Sequence, residues 1–382
     1  MKPEPSSRTA SASRSKSDGD QKTGLALRPR AGRKIRVLIV DDSAVARRAI
    51  RDALAQDPEI EVVDVACDAY VAREKILKLD PDVITLDLEM PRMDGLTFLR
   101  ILNEHHPLPV VVVSSLTPQG SAKALEALAA GAIDVLAKPS GSQTLGEVAH
   151  QLAYHVKAAA RARLRPRRAE TSVAAPPPLL EPVAPGEFSA RRIILIGAST
   201  GGVEALRFLL PRLPDGLPPI AVVQHIPPNF SRLMAERLNE LCPFEVREAV
   251  EGDELRRGLC LVAPGDFHLA LVRYGGGYRA RLTQSPPVHH CRPSVDVLFR
   301  SAAEHAGAQA VAALLTGMGS DGARGLQALR ATGARTLAEH EDSCVVYGMP
   351  QAAIKLGVVD QVATLDQMPQ AILQALAQPV RT

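Results

Sequence analysis

Unbroken runs of Val, Ile and Leu, each followed by an amphipathic stretch, recur along most of this chain and restrict its fold more than any other feature. Between Ile35 and Lys138 the runs are IRVLIV, EVVDVA, DVITLD, PVVVVS and IDVLAK, separated by stretches such as SAVARRAIRDALAQ and YVAREKILKL. A run without polar alternation is a strand buried on both faces, and strands that alternate with helices form a parallel sheet between helical layers. The spacing predicts an α/β fold whose N-terminal part is a five-stranded, doubly wound parallel sheet. After a Pro-rich stretch the pattern resumes with RRIILIG, PPIAVVQH and AALLTG, which predicts a second doubly wound, mostly parallel α/β domain. The expected boundaries are a basic tail over 1–34, a first domain over 35–155, a linker over 156–190 and a second domain over 191–382.

Charge separates these parts. Residues 1–34 hold nine Lys/Arg against three Asp/Glu and residues 157–192 hold eight against three, whereas the whole chain is only +3, so the remainder of the chain carries −8. Both basic segments lack hydrophobic periodicity and read as a solvated tail and a semi-rigid linker. With no helix-turn-helix or zinc-finger pattern behind them, no specific nucleic-acid role is expected. No apolar run approaches the roughly 18 residues of a membrane span, and the N-terminus has no apolar signal core, so a cytoplasmic chain without membrane insertion is expected. The five cysteines are scattered with no CxxC pair, which suits reduced thiols better than disulfides or zinc.

In parallel α/β sheets chemistry sits at the C-terminal strand ends. In the first domain those ends carry Asp41 and Asp42, Asp87, Ser114, and Lys138 followed by Pro139. Three converging carboxylates repel one another unless a cation lies among them, and a hard ion such as Mg²⁺, which accepts a few carboxylates, answers that need. Asp87 is then the candidate nucleophile for a phosphoryl group, with Lys138 and the Ser114 hydroxyl neutralising its charge. Single Asp residues at strand ends are more often helix caps; five such groups together are not.

In the second domain the stretch Gly197-Ala198-Ser199-Thr200-Gly201-Gly202 joins a strand to an amphipathic helix. A phosphate-binding loop would require G-x-G-x-x-G or a Walker lysine, and both are absent. The stretch fits G-x-S-x-G, in which small neighbours allow a serine to occupy a strained turn. A serine nucleophile needs a base and an orienting carboxylate. His225 ends the next strand and Asp321 lies in the turn after the run in AALLTGMGSDG, so both fall at the same sheet edge as Ser199. The order Ser199, Asp321, His340 is the competing arrangement, but His340 lies in the polar stretch AEHEDSC and is the weaker candidate base. Adjacent histidines in His289-His290-Cys291 rarely converge on one ion and read as a surface or substrate-rim loop.

Two families are resembled. VDDSAVAR, TLDLEMPRMDGLTFL, VVVSSLT and GAIDVLAKPS resemble a response-regulator receiver domain; this implies phosphorylation of Asp87 from a histidine kinase, with Asp41 and Asp42 supporting Mg²⁺. Receivers often carry an aromatic switch residue three before the lysine, where this chain has Val135. IGASTGGVEAL, VVQHIPPNFSRLMAERLN, LVAPGDFHL, PPVHHCRPSVDVLF, LLTGMGSDGARGL and CVVYGMPQAA resemble the chemotaxis protein-glutamate methylesterase family, with Ser320 standing where Asn is common. The resemblance implies a phosphorylation-activated esterase acting on methylated glutamyl residues of chemoreceptor cytoplasmic helices, with glutaminase activity as a companion. It assigns Ser199 as nucleophile, His225 as base and Asp321 as orienting acid, and the Thr200 and Met318 backbone N–H groups as oxyanion donors. It implies no cofactor for ester hydrolysis and, in the unphosphorylated state, a receiver packed over the cleft. The alternative reading is an inactive docking module of a chemosensory pathway, against which the intact triad argues.

Overall fold

The computed structural model describes residues 33–115, 117–138, 145–164, 188–189 and 191–381, so nearly all of the expected tail and most of the expected linker lie outside it. The N-terminal domain alternates β1 (Ile35–Val40), α1 (Ala44–Leu54), β2 (Ile60–Ala66), α2 (Ala69–Leu79), β3 (Val83–Leu86), α3 (Gly95–His105), β4 (Val110–Ser114), α4 (Pro118–Ala129), β5 (Asp134–Ala137) and α5 (Leu145–Ala160). All pairings are parallel, in the order β2-β1-β3-β4-β5. Alternate residues of each strand serve opposite layers: Val37, Ile39, Val111 and Val113 pack under α1 and α5, whereas Leu38, Val40, Ile84 and Val112 pack under α2, α3 and α4. This two-sided burial is why the strands read as continuous apolar runs.

Helix α5 continues through Ala160, past the boundary expected at residue 155. Its last turns are buried at Val156, Ala159 and Ala160. The lysine and arginines scattered through this stretch gave it the composition of a linker and hid that apolar face.

The C-terminal domain comprises β6 (Ile193–Ala198), α6 (Gly202–Leu209), β7 (Ile220–Gln224), α7 (Phe230–Leu241), β8 (Glu245–Glu248), β9 (Glu254–Leu255), β10 (Leu259–Val262), β11 (His268–Tyr274), β12 (Gly277–Thr283), α8 (Val295–His305), β13 (Ala310–Leu314), α9 (Ala323–Ala331), β14 (Arg335–Glu339), α10 (Met349–Lys355), β15 (Gln361–Ala363) and α11 (Met368–Ala377). Seven strands form a parallel sheet, ordered β15-β14-β13-β6-β7-β10-β8. Strands β11, β12 and β9 form a small antiparallel sheet that was not among the strands expected above. The first strand, β6, lies inside the sheet between β13 and β7, so the winding direction reverses there and leaves a crevice at the strand ends.

Candidate active site

Ser199, His225 and Asp321 follow the C-terminal ends of β6, β7 and β13, three neighbouring strands, and topology alone therefore brings them together. The Ser199 N–H donates to Thr316 O at 3.0 Å, and the Gly202 N–H closes the turn onto Ser199 O at 2.7 Å. Gly201 carries the left-handed conformation of this turn (φ 79°), and a Cβ there would stand 2.5 Å from Val345. Ser199 itself is not among the residues with positive φ. The turn expected from G-x-S-x-G takes its left-handed residue at a glycine two positions after the serine.

The nucleophile turn is braced from β13. The Thr316 hydroxyl donates to Thr200 O at 3.0 Å, and the Thr316 N–H donates at 2.8 Å to the carboxylate of the fully buried Glu339. Gly317 lies so close to Ser199 that a Cβ would come within 2.6 Å of the serine Cβ. That contact sets the Met318 turn beside the nucleophile. Among the described residues neither the Thr200 nor the Met318 N–H donates a hydrogen bond, which leaves both available to an oxyanion.

The imidazole of His225 joins the set. Its Nδ1 lies 3.0 Å from Ser199 Oγ, and its Nε2 lies 2.7 Å from Asp321 Oδ2. The tautomer with the proton on Nε2 donates to the carboxylate and leaves the Nδ1 lone pair facing the serine. Asp321 is also held by the N–H groups of Val295 (2.7 Å) and Asp296 (3.0 Å) in the first turn of α8, by the Gly322 N–H (3.0 Å) and by the Ser294 hydroxyl (2.8 Å). Burial alone would raise its carboxyl, but the bonds from His225 and these N–H groups outweigh it and hold it at about 2. For His225, burial disfavours the imidazolium, yet Cys291 and Asp321 beside it prevail and lift it well above its ordinary value. Sequence reasoning did not single out Thr316 or Glu339; a Glu ending an apolar strand is the signal that marks the latter.

The N-terminal domain closes over this pocket. The Tyr154 hydroxyl of α5 donates to Met318 O at 2.7 Å, and the Thr200 hydroxyl donates to Asp134 Oδ2 of β5 at 2.7 Å. Asp134 also meets His155 Nδ1 at 2.8 Å. Burial would raise the Asp134 carboxyl, but His155 and Thr200 outweigh it and hold it below the usual range. Arg237 of α7 reaches Ala122 O on α4 at 3.3 Å, and Arg163, just after α5, pairs with Glu341. Under this cover Ser199 is only 1% exposed.

At the other strand-end cluster, Asp41, Asp42 and Asp87 offer carboxylate oxygens within 4.8 Å of one another. Lys138 Nζ lies 2.7 Å from Asp87 and 3.1 Å from Asp41. One ammonium cannot neutralise three carboxylates, and this acidic donor set suits Mg²⁺. Burial pushes the Asp87 carboxyl up, against the pull of Lys138. Ser114 ends β4 with its hydroxyl donating to Gly120 O at 3.3 Å. Val135 is buried within β5.

His340 does not approach the triad: its ring takes the Asp342 N–H at 3.1 Å in an exposed loop. His289 pairs with Asp296 at 3.1 Å, and His290 stacks on His150 of α5, so the His289–Cys291 loop rims the pocket as expected.

Comparison with known proteins agrees with both halves. Residues 194–372 match the CheB methylesterase family and residues 37–150 match the response regulator receiver domain. The chain is 49% identical over 341 residues, 89% of its length and 99% of the relative's, to a protein-glutamate methylesterase/protein-glutamine glutaminase of Syntrophus aciditrophicus. It belongs to the CheB methylesterase family. A Syntrophotalea carbinolica relative of the same description is 49% identical over 91% of this chain and 99% of its own, and one from Rhodopseudomonas palustris is 49% identical over 90% and 96%. The receiver domain of this chain implies a phosphodonor kinase. Among the described residues no helix is long and apolar enough to cross a membrane.

Proposed function

We propose that this CheB-family chain is a cytoplasmic, phosphorylation-gated enzyme that hydrolyses glutamyl methyl esters on the cytoplasmic helices of chemoreceptors and deamidates receptor glutamines. Its supporting observation is the relay from Ser199 Oγ to His225 Nδ1 at 3.0 Å and from His225 Nε2 to Asp321 at 2.7 Å. The Ser199 proton passes to Nδ1 as Oγ attacks the ester carbonyl. The oxyanion is received by the Thr200 and Met318 N–H groups. The imidazolium, stabilised by Asp321, returns the proton to departing methanol, or to ammonia when the substrate is an amide. Water then enters and loses its proton to the same nitrogen as it attacks the acyl carbon, and the imidazolium returns that proton to Ser199 Oγ as the glutamate leaves. No cofactor takes part in these steps.

Gating follows from the cover. With Tyr154 on the Met318 carbonyl and Asp134 on the Thr200 hydroxyl, the receiver covers the site without using its N–H donors, and substrate is admitted only when it moves away. Phosphorylation of Asp87 by a chemotaxis-type histidine kinase drives that movement, with Asp41, Asp42 and Asp87 as the residues that would hold Mg²⁺, whose charge favours the phosphoryl group. Lys138 and the Ser114 hydroxyl would meet the phosphoryl oxygens. A full swing from 1:99 to 99:1 needs about 5.5 kcal/mol of bias.

The test is methanol release from methylated receptor membranes by wild type and Ser199→Ala, with and without acetyl phosphate and Mg²⁺. Wild-type release should rise with phosphodonor, and Ser199→Ala should lose at least about a thousandfold. Equal release by both proteins would overturn the catalytic assignment and favour a docking role.

A further inference from the structure

The rim loop brings a thiol to the catalytic base. Cys291 Sγ lies 3.4 Å from His225 Nδ1, the atom that Ser199 Oγ approaches to 3.0 Å. This placement is built into the loop. Val288 and Cys291 exchange both backbone hydrogen bonds (3.1 and 2.9 Å), and the two residues between them, His289 and His290, have φ of 51° and 61°. A two-residue turn with both central residues in the left-handed region costs strain when neither is glycine. The next residue is pinned as well, because the Arg292 guanidinium holds Asp266 and the Asp266 N–H donates back to Arg292 O at 3.1 Å.

We propose that Cys291 competes with Ser199 for His225 Nδ1 and so restrains the base. Its thiol proton passes to that nitrogen in part of the population, leaving a thiolate beside an imidazolium and withholding the base from the serine. A thiol ionises ordinarily near pH 8.5, far more readily than a serine hydroxyl, so a shared imidazole takes the sulfur proton first. The S–H bond breaks, the N–H bond forms, and the reverse transfer restores the base. The raised basicity of His225, to which Cys291 contributes, has the same direction. The other ionisable groups around the pair are Asp321 at Nε2, Tyr154 from α5, Asp134 with His155 from the receiver, His289 with Asp296 on the rim and His268 behind Ser294. Asp321, the nearest carboxylate, favours the imidazolium whether or not the thiol is present, so it does not by itself replace Cys291.

The inference rests on His225 being the base of the triad. Its test is the pH dependence of methanol release by full-length protein held in acetyl phosphate and Mg²⁺, for wild type, Cys291→Ala and Cys291→Ser, together with ultraviolet thiolate titration of wild type, Cys291→Ala and His225→Gln. Both Cys291 variants should shift the acidic limb of kcat/KM to lower pH and raise kcat about three- to tenfold at neutral pH, with KM unchanged. Of the thiolate absorbance from the five free cysteines, the component already present at neutral pH in wild type should be lost in Cys291→Ala and, in His225→Gln, form only at higher pH. An unmoved limb in both variants, or a thiolate that titrates alike with and without His225, overturns the proposal. Because Ser199→Ala is assayed alongside, its loss of release with an unmoved limb overturns this inference and leaves the triad standing. Retained release in Ser199→Ala overturns both.

Discussion

Both strand-end clusters of this molecule are built on the same plan, a parallel sheet with polar groups at its C-terminal edge, yet they treat charge in opposite ways. The receiver concentrates three carboxylates around one ammonium and leaves Asp42 open to solvent. The esterase orients His225 with one carboxylate, Asp321, which takes four further donors, and the buried Asp296 carboxylate beside it is matched by His289, Arg300 and the Gly325 N–H. The contrast teaches that a site meant to change its charge keeps an excess of it within reach of solvent, whereas a site meant to hold one geometry neutralises every lone pair. If that is correct, substitutions at Asp321 should act on rate and stability together, and substitutions in the receiver should act on response alone.

The largest effect beyond Ser199 is therefore expected at Asp321. Asp321→Asn keeps the shape but presents an amide to Nε2, favouring the wrong tautomer, and kcat should fall on the order of 10⁴-fold. Stability gives the second readout. With a folded value of about 2 against an ordinary 3.8, the carboxylate contributes stability at all pH above 3.8 and loses that contribution as pH falls toward 2. Thermal unfolding of wild type between about pH 5 and pH 2 should show this acid limb, and the Asn variant should show less of it. His225 runs the other way: its raised value stabilises the fold below the ordinary imidazole value and ceases to do so as pH rises through the folded one.

Next comes Asp87→Asn, which should remove the response without touching the relay. The ratio of methanol release with and without acetyl phosphate should fall to about one, because no carboxylate remains to accept the phosphoryl group. A variant that still responded would separate gating from the acidic cluster and undo the comparison.

How much of this could be read from the chain differs between the regions in the same way. The strands and the three triad residues were legible because unbroken apolar runs mark buried parallel strands, and topology then fixes what stands at their ends. The antiparallel sheet was less visible; its signals are the short run Leu269-Ala270-Leu271-Val272 and Tyr274-Gly275-Gly276-Gly277, where β11 turns into β12. The contacts of Asp134 and Tyr154 with the esterase were not legible, since they arise where two separately folded cores meet and follow no local period. Asp134 left one trace, a charge at the head of an otherwise apolar run, which is costly unless a partner is supplied. Which nitrogen of His225 faces Ser199 is set by the approach of β7 to β6 and cannot be inferred from residue types.

The smallest expected effect tests that interdomain seam directly. Tyr154→Phe removes the hydroxyl that reaches Met318 O at 2.7 Å while keeping the ring that packs beside His155. The seam is held by several bonds, so losing one should weaken closure by about 1 kcal/mol, roughly a fivefold rise in the open fraction. Methanol release without phosphodonor should rise by about that factor, and release at saturating phosphodonor should stay the same, because the open enzyme no longer uses the bond. A fall in the saturated rate would place Tyr154 in the chemistry instead of the closure. In that case the receiver would be supplying part of the esterase site, and the separation of response from rate would not hold.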